Sequence, residues 1–137
     1  MEVKYTIPYP PIPWTPPRRR GQYYYNPRSI EKERDISCIK AQEVWKFYGP
    51  VRVDMTFYMP IPKSTPKKRV VELLREDIYH IKKPDRDNMQ KYVSDVLECA
   101  GIFKNDSQVC CGFSAKYYSG NPRTEIVVSD FSSNAAC

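Results

Sequence analysis

Histidine is nearly absent from this sequence of 137 residues, and its five cysteines form no Cys-x-x-Cys pair. A structural zinc ion needs four cysteine or histidine ligands, usually in closely spaced pairs. With His80 as the single histidine, a zinc site is not expected. The adjacent Cys110 and Cys111 would point to opposite faces of a strand. We therefore expect the cysteines to be reduced thiols outside the chemistry.

Long apolar runs are also missing. No stretch reaches the roughly 18 to 20 apolar residues of a membrane helix. The N-terminal segment MEVKYTIPYPP lacks the apolar core of a secretory signal. We therefore expect a cytoplasmic protein with no membrane partner. Its hydrophobic content of 41% and charged content of 28% are ordinary for a soluble protein, and its length suits a single domain.

The charge balance is basic. The sequence has 22 lysines and arginines against 16 aspartates and glutamates, a net charge of +6. A basic surface favours nucleic acid, because each phosphate contact releases condensed counterions. A soluble protein with a basic surface and no such partner is the alternative at this point.

Apolar and polar residues alternate where strands are expected, and apolar residues recur at spacings of three and four where helices are expected. The predicted strands are 2–7, 51–59, 109–117 and 124–129, the last two joined as a hairpin. The predicted helices are 27–48, 64–75 and 89–100. This order predicts a single domain of the α/β class, α+β type, in which helices flank one mixed β-sheet.

Residues 8–25 are rich in proline, arginine and tyrosine. Proline at this density excludes a helix or a central strand, so we expect an extended arm or loop of polyproline character. Tyr23–Tyr25 are candidates for stacking on an unpaired base, or for strand or core positions. Pro13–Arg18 also fits PxxPxR, a ligand for SH3-type grooves, so an adaptor using this arm is an alternative. Residues 131–137 are expected to form a frayed tail.

Acidic residues cluster around the start of the best-defined helix. Asp85 and Asp87 lie in a turn after Pro84, two positions apart, and could converge on a hard cation such as Mg²⁺. Lys91 follows Asp87 by one helical turn, where it can reach a carboxylate or a bound phosphate. Asp106 lies in the loop that returns from the helix and could bring a third carboxylate back.

The same residues also fit purely structural roles. Asp87 and Gln90 have the spacing of a helix capping box, and Asp85 suits a cap or turn. Lys91 could form a surface ion pair with Asp87 or Asp95. The residues taken alone leave both interpretations open.

Residues 83–109, KPDRDNMQKYVSDVLECAGIFKNDSQV, are similar to the signature of RusA-type Holliday junction resolvases, and the resemblance is strong from His80 to Gln108. That signature has Asp-x-Asp-Asn, a lysine four residues after the second aspartate, and an aspartate in an Asp-Ser-Gln-like loop. The resemblance is looser towards the N-terminus. The matching residues are Asp85, Asp87, Asn88, Lys91, Asp106, Ser107 and Gln108.

The resemblance implies a RusA-like fold and a homodimer that cuts four-way junction DNA with paired symmetric nicks during recombination and repair. Asp85, Asp87 and Asp106 would hold Mg²⁺, with Mn²⁺ as a substitute, and no small-molecule cofactor is implied. Lys91 would stabilise negative charge at the reacting phosphate. These four residues are the catalytic candidates.

Basic residues outside this group are candidates for DNA contacts, although each alone also suits a solvated surface. His80 could support the site or contact DNA, or be structural. A branched-DNA-binding protein without catalysis is a further alternative. The DNA-binding candidates are Arg18, Arg19, Arg20, Lys67, Lys68, Arg69, Lys82, Lys83 and Arg86, with Lys63 beside them.

Overall fold

A computed structural model of the chain describes residues 1–43, 45–75 and 78–131. Its strands are β1 (Glu2–Ile7), β2 (Arg18–Arg20), β3 (Tyr23–Tyr25), β4 (Val51–Pro60), β5 (Val109–Cys111), β6 (Ser114–Ser119) and β7 (Arg123–Asp130). Its α-helices are α1 (Ser29–Ala41), α2 (Lys67–Leu73) and α3 (Arg86–Cys99), and Asp106–Gln108 form a 3-10 helix.

The main sheet is mixed and is organised around β4. The strand order is β1-β7-β4, with both β5 and β6 along the other edge of β4. β7 runs antiparallel to β1 and β4, whereas β5 and β6 run parallel to β4. Every second side chain of β4 is buried from Val51 to Met59, as its alternating sequence requires. The predicted α+β domain with a mixed sheet and flanking helices is confirmed.

The predicted hairpin between the last two strands is wrong. β6 and β7 lie on opposite sides of β4, so that Met55 is paired with both Ser114 and Ile126. The turn after Ser119 carries the chain past the end of β4. Between β1 and β4, β7 is hydrogen-bonded on both edges and buries Ile126 and Val128 in the core.

The strand predicted over 109–117 is interrupted at Gly112. A Cβ atom at this glycine would lie 1.9 Å from the carbonyl oxygen of Val53, and its φ of 154° also favours glycine. Next to it, the Phe113 N–H donates to the Asp54 carboxylate at 2.8 Å. The chain therefore changes register at Gly112 and Phe113 while it stays against β4, where the Met55 N–H donates to the Phe113 carbonyl at 2.9 Å, and it continues as β6.

Helix α1 is shorter than the predicted helix 27–48, because β1 provides partners that end it. The Gln42 side chain accepts from the Thr6 N–H at 3.0 Å and donates to the Thr6 carbonyl at 2.8 Å. Beyond it the chain runs to an isolated bridge between Phe47 and Phe103. Helix α2 also occupies only part of the predicted range 64–75.

Helix α3 matches its predicted apolar face, burying Met89, Tyr92, Val93, Val96 and Leu97. Two polar contacts attach it to α1. The Tyr92 hydroxyl donates to the buried carboxylate of Asp35, and Lys32 pairs with Asp95 at 2.5 Å. Burial and the Asp35 carboxylate raise the pKa of Tyr92, so this hydroxyl stays protonated and remains a donor.

The proline-rich segment divides into two parts. Residues 8–17 have no regular secondary structure, as predicted, but they lie against the body of the protein. Arg18–Arg20 and Tyr23–Tyr25 then form an exposed two-stranded hairpin, with Gly21 in the left-handed conformation at the turn. Of the tail predicted at 131–137, residues 132–137 lie outside the described part of the chain.

Cysteine chemistry differs from the expectation at one position. Cys38, Cys99 and Cys110 are free, but Cys111 is bonded in a disulfide. The number and spacing of the cysteines did not predict this disulfide, because only the tertiary structure decides which thiols lie close enough to bond. Within the described ranges, none of the helices is both long and apolar enough to cross a membrane.

Candidate active site

Asp85 and Asp87 line an open cleft of about 630 Å³ between the start of α3 and the start of β6. Both residues are exposed. Cationic side chains surround them, so that the carboxylates are the negative centre of a basic cleft. The cations that line the cleft are Lys82, Lys83, Arg86 and Lys116.

The carboxylates in this cleft are not engaged in helix capping. Asp85 is the N-cap residue of α3 by its extended backbone, yet its side chain makes no capping hydrogen bond. The capping box considered for Asp87 and Gln90 is wrong, because Gln90 donates instead to the Ser114 hydroxyl at 2.8 Å. Among the described residues, neither aspartate forms a side-chain hydrogen bond or an ion pair. Both are therefore available to a cation.

Lys116 fixes the loop that leads to Asp85. Its ammonium donates to the carbonyl oxygens of Lys82 at 2.6 Å and Pro84 at 2.8 Å. Partial burial lowers the pKa of Lys116, while the nearby Asp85 acts in the opposite direction. Sequence reasoning missed this residue, because it lies on β6, far along the chain from Asp85, and no motif includes it.

His80 is buried beside the same cleft. Its backbone N–H donates to the Lys116 carbonyl at 2.9 Å, and its ring lies 4.9 Å from the ring of Tyr118. Burial, followed by the charges of Lys116 and Lys82, lowers the pKa of His80. Its Nδ1 has no hydrogen-bond partner in the part of the chain that the structure describes. A neutral imidazole therefore forms part of the cleft lining.

Lys91 lies one turn along α3 from Asp87, and its contact differs from those considered for it. Asp95 pairs with Lys32 instead. The Lys91 ammonium lies 3.5 Å from the ring centroid of Trp14, a residue of the proline-rich segment. This distance is typical of a cation–π contact. Trp14 was not predicted for the site, since no spacing in the sequence relates it to α3.

Asp106 lies at the other end of α3. Its backbone N–H donates to the Glu98 carboxylate at 3.0 Å. Glu98 follows Asp87 by eleven residues, about 16 Å along a helix axis. In the described ranges, no group of three or more histidine, cysteine, aspartate or glutamate side chains is arranged to hold a metal ion. Within one chain, the structure thus brings Asp85 and Asp87 together but not Asp106.

The loop around Asp106 is held by its neighbours in the motif. Asn105 and Gln108 form a capping box around the 3-10 helix. The Gln108 side chain also donates to the carbonyl oxygens of Phe47 at 3.1 Å and Gly49 at 2.9 Å. Gln108 therefore has a structural role that fixes the position of Asp106.

The nine candidate DNA-binding residues are all exposed, but they occupy three separate places. Lys82, Lys83 and Arg86 line the cleft. Arg18–Arg20 form the first strand of the exposed hairpin, and Lys67–Arg69 form the start of α2. Arg69 pairs with Glu72 at 2.8 Å, which partly neutralises the α2 group.

Fold and site together define an α+β domain with an acidic pair in a basic cleft. The family model described as endodeoxyribonuclease RusA matches residues 8–129. The chain therefore belongs to the RusA endodeoxyribonuclease family.

One curated relative is an uncharacterized protein of Bacillus subtilis (strain 168), YqaN. It is similar to this chain at 38% identity over 86 residues. The match covers 61% of this chain and 60% of that protein's length.

Proposed function

We propose that this protein is a Mg²⁺-dependent, structure-selective endodeoxyribonuclease that resolves Holliday junctions by paired symmetric nicks, acting in the cytoplasm in DNA recombination and repair. Membership of an endodeoxyribonuclease family supports the general class of activity. The observation that carries the proposal is the pair of exposed, uncapped carboxylates, Asp85 and Asp87, in a cleft lined by cations.

The acidic pair fits a hard divalent cation. Mg²⁺ prefers oxygen ligands and is usually held by one or two carboxylates together with water and substrate phosphate. Asp85 and Asp87 supply two carboxylates that are open to solvent and form no side-chain hydrogen bond or ion pair among the described residues. When bound, Mg²⁺ or Mn²⁺ would activate water and neutralise charge at the scissile phosphate.

The basic side chains have separate tasks in this proposal. Lys82, Lys83 and Arg86 attract the DNA backbone to the acidic pair, which would otherwise repel it. Lys91 stabilises the negative charge that develops at the reacting phosphate through its ammonium group. Lys116 keeps Asp85 in place through the carbonyl oxygens of the preceding loop.

A homodimer and a role for Asp106 are linked parts of the proposal. A four-way junction has near two-fold symmetry, and paired nicks require two sites, which an isologous dimer supplies. Asp106 and the acidic pair lie at opposite ends of α3. A dimer that packed the two α3 helices side by side and antiparallel would bring the Asp106 of a second copy to the Asp85–Asp87 end. We therefore propose Asp106 as the third metal ligand, provided by the other subunit.

The structure of the proline-rich segment gives less support to the alternative function as an adaptor that binds SH3-type domains. An SH3-type groove needs a polyproline ligand that is free to enter it. Here Pro13 and Trp14 are half-buried, and the Trp14 N–H donates to the Asn88 carbonyl at 2.9 Å. Binding such a partner would require this segment to detach from α3.

The direct test is incubation of the protein with an end-labelled four-way junction in Mg²⁺, in Mn²⁺ and in excess chelator. A linear duplex of the same sequence is the control for structure selectivity. We expect symmetric nicks in the junction that depend on the divalent ion. A protein that binds the junction tightly but leaves it intact in both metals would instead be the branched-DNA-binding alternative.

A further inference from the structure

The catalytic candidate Lys91 lies against an aromatic ring from a distant part of the sequence. Its ammonium is 3.5 Å from the centroid of Trp14. Lys91 is exposed, and it is absent from the ion pairs of the described residues. A lysine ammonium on a four-carbon stem samples many positions unless a contact restricts it. Trp14 provides that contact.

Trp14 and the segment before it are held against the protein by several contacts. Its backbone N–H donates to the Asn88 carbonyl of α3 at 2.9 Å. Its side chain and that of Ile12 pack against the hydrophobic core. Earlier in the segment, the guanidinium of Arg34 on α1 lies 3.7 Å from the ring centroid of Tyr9. The ring thus belongs to a docked segment and not to a freely moving arm.

We propose that Trp14 is a positioning residue for Lys91, keeping its ammonium on the side of α3 that carries Asp87. The inference rests on the proposed nuclease function, because it gives Lys91 its task at the phosphate. A lysine restricted before the substrate arrives loses less conformational freedom in the transition state. Trp14 would therefore support the rate of cleavage more than the affinity for the junction.

Trp14 also lies in the chain just before the β2–β3 hairpin, in the segment that is packed against the candidate active site. The exposed strand Arg18–Arg20 begins four residues after Trp14. In the proposed function this strand contacts phosphate. The same segment then serves both DNA binding and the placement of Lys91.

The kinetic test compares Trp14→Ala with Trp14→Phe, which retains a ring. In single-turnover cleavage we expect Trp14→Ala to be slower by roughly 3- to 30-fold, the range typical of cation–π contacts. Its junction affinity should change less than twofold, and Trp14→Phe should recover most of the rate. Trp45→Phe is the matched control, because Trp45 is 43% exposed and lies outside the cleft lining. Thermal melts establish that each variant folds.

A second readout does not depend on cleavage. In the NMR spectrum of the wild-type protein, the ring current of Trp14 should shift the Lys91 ε-methylene protons upfield. Trp14→Ala should abolish that shift, and Trp45→Phe should leave it unchanged. A wild-type protein without the shift would refute the contact itself.

The failures of the two proposals can be told apart. Equal cleavage rates in wild type and Trp14→Ala, with the shift lost, would overturn the positioning role and leave the nuclease intact. A wild-type protein that cuts no junction would overturn the nuclease, and the shift would still report whether Trp14 holds Lys91.

Discussion

Replacement of Asp85 or Asp87 by asparagine separates metal binding from helix capping. Both side chains are exposed, and Asp85 makes no capping hydrogen bond. The loss of charge should therefore have little effect on the stability of the folded protein. We expect each variant to change the free energy of unfolding by less than about 0.5 kcal/mol, as at ordinary surface positions. Asparagine also suits an N-cap position about as well as aspartate.

Cleavage should respond very differently. Among the described residues, Asp85 and Asp87 are the two carboxylates that line the cleft, so each variant removes half of the negative charge that they offer a cation. A bound metal contributes several kcal/mol of charge stabilisation in the transition state, and each 1.36 kcal/mol is a factor of ten in rate. We therefore expect a loss of at least about 100-fold in single-turnover cleavage. Junction binding should persist or tighten, because a repulsive charge has gone.

Asp95→Asn is the matched control on the same helix. Asp95 pairs with Lys32 and lies outside the cleft lining, so this variant should lose up to about 1 kcal/mol of stability and keep its cleavage rate. Gel-shift affinity, thermal melts and single-turnover rates together test the reasoning. Folded Asp85→Asn and Asp87→Asn proteins that cut at near wild-type rates would refute it.

Three further predictions address other parts of the proposal. Lys116→Met should slow cleavage about tenfold and weaken junction binding much less, because the loop before Asp85 loses two hydrogen bonds; an unchanged rate in the folded variant would exclude this role. Replacing Arg18–Arg20 by alanine should weaken junction binding and reduce the salt slope by up to about three, as measured by titration at several salt concentrations. An unchanged slope would make these arginines ordinary surface charges. Mixing Asp85→Asn with Asp106→Asn protein should restore cleavage, because one site of each mixed dimer is intact if subunits share sites. No recovery after verified subunit exchange would place each site within one chain.

Much of the local structure could be predicted, because local patterns determine it. Alternation predicted β4, whose buried positions run from Val51 to Met59. Spacings of three and four predicted the buried face of α3. The turn at Asp85, before an amphipathic helix, predicted that Asp85 and Asp87 would lie at a helix N-terminus, where the structure has them. The spacing of apolar residues and the residue types that favour turns act over a few positions, so both can be read from the sequence directly.

Errors arose where a distant segment competes with a local signal. A turn after Ser119 suggested a hairpin, but β7 gains two hydrogen-bonded neighbours by inserting between β1 and β4. The predicted helix 27–48 ends early because the Gln42 side chain bonds to Thr6 of β1. Gln90 fits a capping box, yet it donates to the hydroxyl of Ser114 on β6. In each case, long-range hydrogen bonds outweigh a local propensity of about 1 kcal/mol or less.

By itself, the sequence determined the family, the fold class and the residue types of the candidate site. Only the tertiary structure decided which of those residues meet. Lys116 reaches the loop before Asp85 from β6, and Trp14 reaches Lys91 from the proline-rich segment. Asp106 lies apart from the acidic pair because α3 is 14 residues long, so that its ends are separated by about 20 Å. Contacts of this kind depend on packing between distant segments, and no periodicity or spacing in the chain encodes them.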